Sequence, residues 1–82
     1  MTAVLKLQKA LDKCDLKGYK AHPSQKGIVV SNPAKAGQTI GLVWVIGSSF
    51  YYNAIGQEAM SCASYQSGID AIISFFEELN NA

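Results

Sequence analysis

Between Ala36 and Gln57 the chain runs for 22 residues without a charged side chain. A stretch of that length is either a membrane span, which needs about 20 apolar residues in one helix, or the interior of a folded domain. Gly37, Gly41, Gly47, Ser48, Ser49, Asn53 and Gly56 interrupt it. Glycine costs a helix interior about 1 kcal/mol relative to alanine, so a spanning helix is not expected here. The β-branched and aromatic residues between the interruptions favour strands instead. Thr39 through Ile46 is apolar at both alternating sets of positions, the pattern of a central strand covered on two sides. Gly47-Ser48 suits a two-residue type II′ turn, with glycine at the position that requires positive φ. Phe50-Tyr51-Tyr52 then returns as the antiparallel partner.

The flanks complete the outline. Val4, Leu7, Leu11 and Cys14 recur at helical spacing and predict an amphipathic helix, which Gly18 is expected to close. His22-Pro23-Ser24 reads as a turn, with room for a short edge strand before it. Gly27 through Ser31 is a β-branched strand followed by a loop over Asn32 to Gly37. A second two-residue turn at Gly56-Gln57 would lead into a weaker strand over Glu58 to Ala63. Ile69, Ile72, Ile73, Phe76 and Leu79 then lie on one stripe of a final helix, with Ser67 and Asp70 as its cap-like start. The expected fold is one α+β domain over residues 1–82. It has an antiparallel meander of three or four strands, with an N-terminal and a C-terminal helix packed on one face.

Alternation assigns the two sheet faces. Ile40, Leu42, Trp44, Ile46, Tyr51, Asn53 and Ile55 share one, joined by Glu58, Met60 and Cys62 if the second turn has two residues. Gly41, Val43, Val45, Phe50, Tyr52 and Ala54 share the other, with Ala59 and Ser61. Neither is polar, although a sheet covered on one side usually turns a polar face to water. Giving the larger side chains to the helix-covered core leaves Val43, Val45, Phe50 and Tyr52 as an apolar surface for a partner protein or a second copy of the chain, a homodimer. The plainer reading is that side chains of Tyr19 to Lys26 fold over that face, or that the helices cover it themselves.

Catalytic chemistry finds little support. The one histidine, His22, stands directly before Pro23, and Cys14 and Cys62 fall on apolar stripes where a thiol stays protonated. Two distant cysteines and one histidine match no zinc spacing, the six acids form no calcium loop, and the glycines follow no phosphate-binding pattern. No catalytic residue, metal or cofactor is expected. Two cysteines are too few for a disulfide framework, and Lys6, Lys9 and Lys13 break any apolar signal core. A cytoplasmic chain with reduced thiols follows, with no membrane segment.

Charge is unevenly spread. Residues 1–35 hold seven Lys against Asp12 and Asp15, a net +5, while residues 36–82 hold four acids and no base. Lys6, Lys9, Lys13, Lys17 and Lys20 could follow a phosphate backbone if they clustered. The order helix, meander, helix is similar to that of a double-stranded RNA-binding domain, in topology alone. No lysine follows Lys35, and the chain has no arginine for bidentate base reading. The expected function is therefore a non-enzymatic protein-binding module, of the inhibitor or immunity type, acting through an apolar sheet face. Nucleic-acid binding through those lysines is the alternative.

Overall fold

The computed structural model describes residues 2–35 and 37–81. Helix α1 (Thr2–Asp12) leads into strands β1 (Lys20–Pro23), β2 (Ile28–Ser31), β3 (Thr39–Ile46), β4 (Ser49–Ala54) and β5 (Met60–Cys62), and helix α2 (Tyr65–Asn81) closes the order. The strands form one antiparallel sheet in sequence order, β1-β2-β3-β4-β5. The fold is α+β, as expected, with five strands where three or four were anticipated. The short strand β1 pairs Lys20 with Ser31 and Pro23 with Ile28. The uncharged run becomes β3, a turn and β4, and no helix among the described residues is long and apolar enough to cross a membrane.

Ile46 pairs with Ser49, so Gly47-Ser48 is a two-residue turn, with positive φ at Gly47. The next connection departs from expectation. Gln57 N–H donates to the Ala54 carbonyl, and pairing resumes only at Tyr52 with Met60. The loop over residues 55–59 is longer than two residues, which inverts the faces of β5. Ser61 pairs with Tyr51, whereas Met60 and Cys62 pair with Tyr52 and Phe50.

Helix α1 also ends earlier than the sequence suggests. Gln66 on α2 accepts the Asp15 N–H at its Oε1 (2.7 Å) and donates from Nε2 to the Asp15 carbonyl (2.9 Å). The backbone beyond the helix is thereby tied to the other end of the chain. Gly18 serves a tight turn rather than a helix cap: Lys17 and Gly18 both have positive φ, and Tyr19 N–H donates to the Leu16 carbonyl. At α2 the cap is Ser64, three residues before the expected Ser67. Ser64 Oγ accepts the Ser67 N–H while Ser67 Oγ accepts the N–H groups of Ala63 and Ser64, a reciprocal capping box.

The core lies between the helices and one face of the sheet. Leu11 of α1 and Ile69, Ile72 and Ile73 of α2 bury Ile28, Val30, Ile40, Val43 and Ala54. A bulge sets one of these. Val30 pairs with Gly41 and Ser31 with Thr39, so Ile40 is the extra residue, and it sits in the core although alternation alone would turn it outward.

Candidate functional site

The face that the helices cover is the one carrying Gly41, Val43, Phe50, Tyr52 and Ala54, the reverse of the sequence-based assignment. Volume decides it. A Cβ at Gly41 would lie 2.6 Å from Ile72 Cγ2, and one at Gly68 of α2 would lie 2.9 Å from Val43 Cγ1. The two glycines let α2 settle onto the sheet, so the isoleucines of the helix fill the space that bulky strand residues would otherwise occupy. The partner site expected at Val43, Val45, Phe50 and Tyr52 is thereby corrected. Val43 is fully buried, Phe50 meets the ring of Tyr65 edge-on at 5.0 Å, and Tyr52 packs against the core. Phe50 and Tyr52 are half-buried, and Val45 is the most open of the four, with 38% of its surface exposed.

The other face has no helix over it. It is built by His22 of β1, Val29 of β2, Leu42, Trp44 and Ile46 of β3, Tyr51 and Asn53 of β4 and Ser61 of β5, as the strand register dictates. Trp44 and Tyr51 are direct cross-strand partners, their rings stacked at 6.0 Å with planes 24° apart. Such pairs contribute about 0.5 to 1.5 kcal/mol beyond their buried area. Leu42 pairs with Val29, and Ile46 stands 65% exposed at the end of the strand. A depression of about 300 Å³ opens between Leu42, Trp44 and Lys26 of the β1–β2 hairpin. Its centre, Val29, Leu42, Trp44 and Tyr51, is apolar, aromatic and half-buried, with Asn53 and Ser61 to one side and Lys20, His22 and Lys26 to the other, and no carboxylate stands among its described strand residues.

The five lysines of the alternative reading do not converge. Lys6, Lys9 and Lys13 are exposed along α1 and just beyond it, in the helical layer. Lys17 pairs with Asp70 at 3.2 Å, while Lys20 lies on β1 with the open face. A phosphate backbone touching all five would have to pass around the domain.

Three titratable groups among the described residues have shifted values. Burial, with the Asp70 carboxylate second, pushes the Cys14 thiol above its ordinary value, and its Sγ donates to the Ala10 carbonyl. Burial first, then the charge and hydrogen bond of Glu77, raise the Tyr19 phenol. Burial likewise raises Tyr65. Both cysteines are free thiols. Among the described residues no group of three His, Cys, Asp or Glu side chains is placed to hold a metal.

Alternation along β3 and β4 places Leu42, Trp44, Ile46 and Tyr51 on one face, and their size points to the core, but in the fold that face is open. The signal that could have found it is Gly41 beside Val43, a gap in the other face that a helix of isoleucines can fill. Neither a protein-family model, a curated protein nor a solved structure shows significant similarity to the chain.

Proposed function

We propose that this protein is a non-enzymatic binding module whose open sheet face docks a partner protein. One observation carries the reading: the Trp44–Tyr51 stack lies among Val29, Leu42 and Ile46 on a face that neither helix covers. Contiguous apolar surface of this kind commonly marks interfaces, and aromatic residues at the centre of such patches supply most of the binding energy. Val29 and Leu42, aliphatic and half-buried, favour a protein surface over a nucleic acid, whose affinity rests on phosphate contacts. An inhibitor or immunity-type role, in which the module acts by occupying another protein's surface, suits a domain of this size.

The test uses Trp44, the one tryptophan of the chain. Acrylamide quenching of its emission is measured alongside mass by light scattering over a range of concentrations. A monomer with a readily quenched tryptophan supports a face free for a different protein. Protection that appears together with a dimer, and is lost in Leu42→Glu, makes the occupant a second copy. A protected tryptophan in a monomer means that the chain covers its own face, and overturns the reading.

A further inference from the structure

On the helical side of the sheet the core is incompletely closed. A cleft of about 360 Å³ lies where α1, the β1–β2 hairpin and the start of α2 fail to meet, bounded by Lys6 and Leu7, Lys26, Val45 and Tyr65. The volume is within the range of about 300 to 1,000 Å³ usual for small-molecule sites. Its floor is apolar, and it is where Val45 gains its exposure. The ammonium groups of Lys6 and Lys26 border it together with Gln25, and no carboxylate is among its described lining residues. It also ends at Tyr65, the first residue of the 17-residue helix α2.

We infer that this cleft binds a small amphiphilic anion, one carboxylate or sulfonate head on an apolar body of about eight carbons. An inorganic anion would leave Leu7, Val45 and Tyr65 unsatisfied, and a neutral hydrocarbon would make no use of Lys6 or Lys26. Only a ligand with both parts matches both halves of the lining. The cleft lies on the helical side of the sheet, opposite the docking face, and the two share Lys26 of the β1–β2 hairpin, whereas Lys6 belongs to the cleft alone.

The experiment titrates the isotopically labelled full chain with octanoate and, separately, with octanol, following backbone amide shifts. Saturable shifts centred on Leu7, Val45 and Tyr65 are expected, with a dissociation constant on the order of 1 mM for a ligand of this size. Octanol binds several-fold more weakly. Lys6→Gln and Lys26→Gln each weaken octanoate about threefold, and together about tenfold, as partly exposed charge contacts do. The inference is overturned if octanoate causes no saturable shift, if octanol binds equally well, or if the shifts fall on Leu42, Trp44 and Tyr51 instead. The loss of affinity in Lys6→Gln, at a residue away from the open face, separates failure of this site from failure of the docking surface.

Discussion

Gly41 of β3 lies directly beneath Ile72 of α2, so close that an added Cβ would stand 2.6 to 2.8 Å from three carbons of the isoleucine side chain. This contact seats the C-terminal helix, and through it decides which sheet face is core and which is free. Gly41→Ala should therefore destabilise the fold by about 1 to 3 kcal/mol, the usual cost of overpacking. In the Gly41→Ala, Ile72→Ala double variant the loss should be smaller than the sum of the two single losses, because the cavity left by one accepts the methyl of the other. Urea denaturation of the four proteins measures the coupling. Simple additivity would mean that the helix does not rest on this contact.

The assignment of faces has its own test in two substitutions on the same strand. Val43→Asp places a carboxylate in the fully buried core and should leave the chain unfolded or reduced to residual stability. Ile46→Asp, on the open face and 65% exposed, should change stability by no more than about 0.5 kcal/mol. Thermal melts followed by circular dichroism distinguish them, and the opposite ranking would restore the face assignment suggested by residue size.

Much of the architecture was legible because it rests on local chemistry. Gly47-Ser48 specifies its own turn, and the turn specifies the register from Ile46 and Ser49 back to Gly41 and Ala54. What escaped rests on contacts between residues far apart in the chain. The early end of α1 comes from Gln66 holding Asp15, 51 residues away. The inverted β5 comes from a loop longer than the glycine signal implied. The faces were reversed because side-chain size was weighed within one strand, whereas packing is a matter of combined volume: the small residues Gly41, Ala54 and Gly68 make room for Ile69, Ile72 and Ile73. The grouping of Leu42, Trp44, Ile46 and Tyr51 on one face was readable, and its exposure was not.

Stability should fall at alkaline pH. Cys14, Tyr19 and Tyr65 all have raised folded values, so each keeps its proton in the folded state when the unfolded chain has begun to lose it. Their contribution is fully present below the ordinary values of 9.0 for the thiol and 10.0 for the phenols, and is lost as pH rises through the folded values. Denaturation midpoints should be level between pH 7 and 9 in this respect and decline above. Cys14→Ser should remove the earliest part of the decline. Iodoacetamide should likewise alkylate Cys14 more slowly in the folded chain than in urea at the same pH.

Photocrosslinking in the native cell decides whether the open face is the working surface. A photoreactive side chain is placed at Ile46 on that face or, as a control, at Ser74, exposed on α2. A discrete protein adduct is expected from position 46 that disappears when Trp44→Ala is added, and none from position 74. Adducts that form equally from both positions, or that survive loss of Trp44, would contradict that role.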